Sequence, residues 1–111
     1  MRDELMIATA WNNGSHNPTG AGYGFKIDAE DRDRFFRRDW KDVVLTLEGE
    51  KDEVTVNLSK KSFWTPECRE LINKQVGLWL IKNGKAPWPK GRPPKIRLEP
   101  TIRNRFKVEF I

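Results

Sequence analysis

Two alternating segments separated by a short polar turn constrain the fold of this chain most. Residues 43–48 and 53–58 carry apolar side chains at every second position, and residues 49–52 between them read Gly-Glu-Lys-Asp. Alternation of this kind is typical of strands with one buried face, and the turn length suits an antiparallel hairpin. The sequence therefore predicts a β-hairpin over residues 43–58.

Four further segments carry strand patterns. The first is short and apolar and ends at an Asn-Asn-Gly turn, while the other three alternate. The last two are joined by residues 100–104, which we interpret as a second hairpin loop. The four segments are residues 5–11, 22–27, 95–99 and 105–111.

Two segments have helical features. Asp28 is a good N-cap for a short helix over residues 28–36, with acidic side chains in its first turn. Thr65 followed by Pro66 predicts a second helix start, and Gly84 its end. Gly77 interrupts this helix, so residues 76–82 could instead form a strand. The apolar stripe of the second helix consists of Cys68, Leu71, Ile72, Val76, Trp79 and Leu80.

The element order is therefore β-β-α-β-β-α-β-β. Strands linked by hairpins and short loops favour a mostly antiparallel sheet, and six short strands with two helices suggest an open barrel. We predict an α+β pseudobarrel. With 111 residues, the chain is expected to be a single domain covering residues 1–111.

Gly20, Gly22 and Gly24 alternate at the start of the second predicted strand. A dinucleotide fingerprint requires a different glycine spacing and a following helix, and a P-loop requires Gly-Lys-Ser/Thr, so nucleotide binding is disfavoured. The three glycines either allow close backbone packing or leave a flat surface for a ligand, and we favour close packing.

The loop before these glycines is rich in short hydrogen-bonding side chains. Such side chains can read base edges or hold phosphates, although they also stabilise turns. The candidate binding residues of this loop are Asn12, Asn13, Ser15, His16, Asn17 and Thr19.

Charge is distributed unevenly along the chain. Residues 1–58 hold 8 Lys/Arg against 12 Asp/Glu, a net charge of −4, and residues 59–111 hold 13 against 4, a net charge of +9. The whole chain has a net charge of +5. A basic second half suits a polyanionic partner, and the alternative is a solvated surface that serves solubility.

Two segments of the basic half combine cations with tryptophan. The cations could contact phosphates, and Trp88, between two prolines, could stack on bases if it is exposed. Trp64 is expected in the core. The candidate residues are Lys60, Lys61, Trp88, Lys90, Arg92, Lys95 and Arg97.

Catalytic and metal signals are weak. His16 is the only histidine, and Cys68 is the only cysteine, which we expect to be buried. No zinc spacing and no cofactor motif occurs, so we expect no cofactor and no metal site, and the residues favour a non-catalytic protein. The single cysteine favours a reducing, cytoplasmic location, and no apolar run is long enough to span a membrane.

The element order resembles the DNA-binding pseudobarrel of plant transcription factors of the B-three type and of some restriction-endonuclease effector domains. The resemblance runs from residues 25–27 through the short helix ending Phe35-Phe36, the 43–58 hairpin, a helix, and the closing strands at residues 95–99 and 105–110. It implies a basic concave face and two loop arms that hold DNA, with residues 12–19 at the position of the first arm.

We therefore expect a nucleic-acid-binding domain, with double-stranded DNA favoured over RNA. The alternatives are a protein-interaction module or small subunit anchored by Trp88 and the proline-rich loop, and a small hydrolase or nuclease that uses His16 as a base. A protein partner or a homo-oligomer is left open, and no membrane contact is expected.

Overall fold

The computed structural model describes residues 5–58 and 61–111. Seven strands form one mixed sheet, accompanied by two helices. The strands are β1 (Met6–Asn12), β2 (Tyr23–Lys26), β3 (Asp42–Leu47), β4 (Val54–Asn57), β5 (Glu70–Ile72), β6 (Lys95–Pro100) and β7 (Arg105–Phe110). The helices are α1 (Ala29–Phe35) and α2 (Lys74–Lys82), and a 3-10 turn covers Lys61–Trp64.

The sheet has the strand order β4-β3-β7-β6-β1-β2-β5. Every neighbouring pair is antiparallel except β3 and β7, which run parallel. The predicted α+β class with a mostly antiparallel, barrel-like sheet is confirmed.

The two edge strands approach each other, so the barrel is nearly closed. Asn73, directly after β5, donates a hydrogen bond from Nδ2 to the carbonyl oxygen of Thr55 in β4 at 3.1 Å. This contact spans the seam that the strand ladder leaves open.

The two predicted hairpins are confirmed. Val43 lies opposite Val56 in the first, and Leu98 lies opposite Val108 in the second. The alternating apolar side chains of both hairpins point into the core, because successive residues of a strand face opposite sides of the sheet. The core is completed by aromatic and aliphatic side chains from every part of the barrel, including Tyr23, Phe25, Phe63, Leu80, Ile96 and Phe106.

The prediction for residues 65–80 was wrong in its first half. Residues 65–69 are irregular, Glu70–Ile72 form the unpredicted strand β5, and α2 begins only at Lys74. Cys68 is exposed rather than buried. Residues 76–82 are helical, so the alternative strand is excluded.

Helix α1 forms where it is predicted, and Asp28 occupies the N-cap position, but the Asp28 side chain accepts no capping hydrogen bond. Arg32 is a buried charged residue of this helix, since only 6% of it is exposed. Its Nη1 donates hydrogen bonds to the carbonyl oxygens of Phe63 and Thr65, at 3.1 and 2.8 Å. Arg32 thereby ties α1 to the connection between β4 and β5.

Strand direction defines two ends of the barrel. At the first end lie the β1–β2 loop (residues 13–22), the β3–β4 turn (residues 48–53), helix α2 and the loop of residues 83–94 that leads into β6. At the second end lie α1, the β4–β5 connection and the β6–β7 turn. No helix in the described ranges is long and apolar enough to cross a membrane.

Candidate nucleic-acid interface

The three alternating glycines serve close packing, each in its own way. Gly20 and Gly22 precede β2 and adopt left-handed backbone angles, with φ of 86° and 80°. A Cβ on Gly20 would lie 2.8 Å from the backbone nitrogen of Leu78 in α2, and a Cβ on Gly77 would overlap the carbonyl oxygen of Gly20. Gly24 lies within β2, where a Cβ would lie 2.5 Å from the carbonyl oxygen of Leu71. The glycines therefore fix the β1–β2 loop against α2 and β2 against β5, and they do not form one flat face.

The polar side chains of the β1–β2 loop stabilise local turns. Three asparagines each accept a hydrogen bond from the backbone N–H two residues later, which is typical turn chemistry. The bonds join Gly14 N–H to Asn12 Oδ1 (3.1 Å), Ser15 N–H to Asn13 Oδ1 (3.4 Å) and Thr19 N–H to Asn17 Oδ1 (2.9 Å). The Thr19 hydroxyl also donates to Asn17 Oδ1 at 2.7 Å. These contacts favour the turn conformation that the loop adopts in this structure.

The same loop still presents hydrogen-bonding groups to solvent. Asn13, Ser15 and Asn17 are exposed. The Nδ2 atom of Asn12 is instead buried, with no hydrogen-bond partner among the described residues. Asn12 therefore contributes to the shape of the loop and is poorly placed to contact an external base.

Trp88 packs against the β1–β2 loop and joins it to the loop of residues 83–94. Its ring meets His16 edge-on, with centroids 4.8 Å apart, and Tyr23 at 5.8 Å. His16 Nδ1 in turn lies 2.7 Å from the Tyr23 hydroxyl, and burial raises the pKa of Tyr23. Trp88 is half-buried against the core and holds the two loops together, so it is less available for base stacking than an exposed tryptophan would be.

Lys90 and Arg92 extend from a tight turn. The N–H of Arg92 donates to the carbonyl oxygen of Pro89 at 2.9 Å, and Gly91 has a φ of 79°. Beyond the turn, the carbonyl oxygen of Pro94 accepts a hydrogen bond from a β1 backbone N–H at 2.9 Å. Both cations are exposed. Their backbone is thus held on both sides, which lowers the entropy lost on binding.

The two candidates on β6 differ in their electrostatic surroundings. Lys95 is exposed and donates from Nζ to the Thr9 hydroxyl at 2.8 Å, so its charge is not neutralised. Arg97 forms a salt bridge to Glu109 at 3.3 Å, and the nearby Lys107 lies 3.5 Å from the same carboxylate. Acids therefore offset part of the positive charge of the second half, and the basic surface is narrower than the sequence suggests.

Of the remaining candidates, Lys61 and Trp64 belong to the 3-10 turn at the second end of the barrel. Lys60 lies outside the described residues, and only the backbone of Lys61 is described. Lys61 begins the 3-10 turn at the second end of the barrel, away from Lys90 and Arg92. Trp64, at the end of that turn, packs partly buried against the core, with the guanidinium of Arg38 over its ring at 4.7 Å.

Lys74 is a further exposed cation whose backbone lies beside the β1–β2 loop, and the sequence-based candidates do not include it. It is exposed at the start of α2, and its carbonyl oxygen faces Gly20 of the β1–β2 loop. The helix starts here because Asn73 acts as its N-cap, accepting the N–H of Gln75 on Oδ1 at 2.7 Å. In the sequence, Asn73 marks this helix start, whereas the Thr65-Pro66 pair predicts a start that the structure does not have.

The acidic side chains at the start of α1 lie close enough together to interact. Within the described ranges, no group of three His, Cys, Asp or Glu side chains could hold a metal ion. Burial, followed by the negative charges of Asp28 and Glu30, raises the pKa of Asp31. The acids of this helix thus repel one another, and Arg34 only partly offsets that repulsion.

Comparison with known proteins gives no assignment: no family model, no curated protein and no solved structure matches this chain.

Proposed function

We propose that this chain is a non-catalytic nucleic-acid-binding domain that prefers double-stranded DNA. The basic surface that would contact the phosphates consists of Lys74, Lys90, Arg92 and Lys95. The β1–β2 loop beside it would supply finer contacts through Asn13, Ser15 and Asn17.

One observation carries the proposal. Three exposed cations form no salt bridge with any described residue: Lys90, Arg92 and Lys95. Lys95 donates a hydrogen bond to Thr9 of β1. The loop that carries Lys90 and Arg92 contacts the polar β1–β2 loop through Trp88 and His16. Elsewhere in the second half, cations such as Lys82, Arg97 and Arg105 pair with acids. Unpaired cations on a fixed backbone are what phosphate binding requires.

The fold adds support through the resemblance to DNA-binding pseudobarrels. The nearly closed seven-stranded sheet with two helices is compatible with that architecture. If the resemblance holds, the β1–β2 loop would correspond to the first DNA-binding arm. A preference for DNA and a cytoplasmic location both stay predictions, the latter based on the single cysteine.

Salt dependence of binding is the first test. If each of the four cations displaces one counterion, the slope of log K against log salt is about −3.6, and affinity falls about 150-fold between 50 and 200 mM salt. Fluorescence anisotropy with duplex DNA, single-stranded DNA and RNA of the same sequence measures this slope and ranks the three partners. Affinity that is independent of salt for all three would refute the proposal.

A matched pair of double variants locates the contact. Lys90→Ala with Arg92→Ala should flatten the slope by about 2 and weaken binding to different sequences equally, since phosphates carry no sequence information. Lys41→Ala with Lys51→Ala removes the same charge from exposed positions outside the basic surface. Equal effects of the two pairs would show that only net charge matters and would reject this surface as the site.

A further inference from the structure

The chain contains two Asn-Gly pairs, Asn13-Gly14 and Asn83-Gly84. An asparagine before glycine can lose its side-chain amide without an enzyme, because glycine has no Cβ to hinder the approach of its backbone nitrogen. That nitrogen attacks the side-chain carbonyl carbon of the asparagine, and ammonia leaves. Both asparagines are exposed, so sequence and exposure do not separate the two pairs. Their hydrogen bonds do.

The Asn13-Gly14 pair is held by few contacts. The attacking group, the N–H of Gly14, donates to one side-chain oxygen, Asn12 Oδ1 at 3.1 Å, and this bond lies on the exposed surface. A Cβ on Gly14 would meet no atom within 4 Å, so there is space beside Gly14 for the movement that ring closure requires. Ring closure at Asn13 therefore costs one exposed hydrogen bond.

Ser15 donates to the oxygen that would carry the developing negative charge. Its backbone N–H and its hydroxyl both lie 3.4 Å from Asn13 Oδ1. When the Gly14 nitrogen attacks Cγ of Asn13, the charge of the tetrahedral intermediate develops on this oxygen. Donors aimed at such a charge stabilise the transition state, and hydrogen bonds become stronger when the acceptor is ionised. Ser15 is thus placed to accelerate ring closure.

The Asn83-Gly84 pair is restrained. Asn83 is the C-cap residue of α2, and its Nδ2, the atom that would leave as ammonia, donates to the carbonyl oxygen of Trp79 at 2.8 Å. The N–H of Gly84 donates to the carbonyl oxygen of Ile81 at 3.1 Å. Ring closure here would have to break both of these hydrogen bonds at the end of α2.

We propose that Asn13 is a site of spontaneous deamidation and that Ser15 promotes the reaction. The bond between the Gly14 nitrogen and Cγ of Asn13 forms, the bond between Cγ and Nδ2 breaks, and the proton of the Gly14 N–H leaves with the ammonia. Water then adds to either carbonyl carbon of the succinimide ring, which gives aspartate or isoaspartate at position 13. Water is the only reactant that the protein does not itself supply.

The products differ from the parent in charge and in backbone length. Both carry a carboxylate in place of the neutral amide, and isoaspartate lengthens the backbone by one carbon atom. The N–H of Asn13 donates to the carbonyl oxygen of Gly22 at 2.9 Å, which closes the β1–β2 loop. An added backbone atom directly after this bond would displace Gly14 from Asn12. The modification thus changes the shape of the loop, and it does not depend on the nucleic-acid function.

Peptide mapping by mass spectrometry tests the site. The full chain is incubated at mildly alkaline pH in water enriched in oxygen-18. In the native protein, position 13 should deamidate about tenfold faster than position 83, because one hydrogen bond fewer must open and Ser15 assists. Each product should contain one heavy oxygen atom, since water opens the ring. In urea, where neither environment persists, the two rates should agree.

Variants of Ser15 test its role. Ser15→Ala should slow deamidation of the native protein about threefold, as expected for the loss of one weak hydrogen bond, and should have no effect in urea. Ser15→Thr keeps the hydroxyl and should restore the native rate. Melting temperatures that match the parent show that the variants retain the fold.

Equal rates at the two positions in the native protein would overturn the proposal, as would a product at position 13 without heavy oxygen. A native rate that is unchanged in Ser15→Ala would refute the role of Ser15.

The consequence for binding rests on the proposed function. Asn13→Asp should weaken duplex DNA binding about threefold, because the carboxylate repels phosphates. Asn57→Asp makes the same charge change at an exposed position of β4 and should have a smaller effect. Equal effects of the two substitutions would refute this consequence. Failure of the parent itself to bind DNA would refute the proposed function and would leave the deamidation result unchanged.

Discussion

Replacing Gly77 by alanine should destabilise this protein, although the same change normally stabilises a helix. Gly77 lies inside α2 with ordinary helical backbone angles, and alanine is favoured over glycine there by about 1 kcal/mol. A Cβ at this position would, however, overlap the carbonyl oxygen of Gly20 and lie 2.6 Å from its Cα. Both obstacles are backbone atoms, so neither can move aside by a rotamer change.

The expected magnitude follows from these two opposing effects. Overpacking costs about 1–3 kcal/mol, and a clash with several backbone atoms of Gly20 belongs at the upper limit. When the gain in helix propensity is subtracted from this cost, the free energy of unfolding should fall by about 2 kcal/mol. That change lowers the melting temperature by roughly 10 °C. Urea unfolding followed by tryptophan fluorescence measures the change.

A control variant isolates the close contact. Gly14 has a φ of 107°, and a Cβ there would meet no atom within 4 Å, so Gly14→Ala reports the cost of a left-handed backbone angle alone. The Gly77→Ala variant carries no such cost, and its loss must come from the contact with Gly20. A Gly77→Ala variant that is as stable as the parent, or more stable, would contradict the close contact between the β1–β2 loop and α2.

Three further outcomes are expected. Asn73→Ala should lower the free energy of unfolding by about 2 kcal/mol, since it removes the N-cap of α2 and the hydrogen bond across the barrel seam. The control Gln75→Ala changes an exposed side chain and should alter the free energy of unfolding by less than about 0.5 kcal/mol. Equal effects of the two substitutions would contradict the seam contact. Asp31→Asn should raise the melting temperature at pH 7, because the raised pKa of Asp31 makes its ionisation destabilising as the pH increases. This gain in melting temperature should vanish below pH 3.8, the ordinary pKa of the side chain. A gain of the same size at pH 3 would refute this cause. Cys68 should react with Ellman's reagent in the native protein nearly as fast as in urea, because it is exposed; protection in the native state would return it to the predicted apolar stripe.

Helix α2 contacts the β1–β2 loop on one side and borders the β3–β4 turn on the other. Lys74 begins α2 near Gly20, whereas Lys82 ends it at Glu50. If the proposed function is correct, Gly77→Ala should also weaken nucleic-acid binding, because the added Cβ displaces the β1–β2 loop.

The two hairpins and α1 could be predicted because their signals are local. Alternation over residues 43–58 and 95–110 fixes which face of each strand is buried, and the acidic first turn after Asp28 marks a helix start. Strand β5 could not be predicted in this way. It has only three residues, and it pairs with β2, which lies more than forty residues earlier in the chain. Glu70 of β5, for example, lies opposite Lys26 of β2.

The apolar stripe misled for the same reason. Leu71 and Val76 are both fully buried, as a helical face would require, but one belongs to β5 and the other to α2. Apolar spacing reports which side chains are buried and not which backbone carries them, so a strand followed directly by a helix can imitate one longer helix. Only Asn73 marked the boundary.

The sequence by itself determined the strand-rich α+β architecture, the pairing of neighbouring strands and an excess of positive charge in the second half. These properties depend on local periodicity and composition. The tertiary structure decided the parallel pairing of β3 with β7, the closure of the seam by Asn73, and which cations keep their charge unpaired. Arg97 and Lys95 are two residues apart on one strand, yet of these two only Arg97 pairs with a carboxylate. Its partner, Glu109, belongs to β7, and the register of β6 and β7 in the folded sheet places Glu109 opposite Arg97.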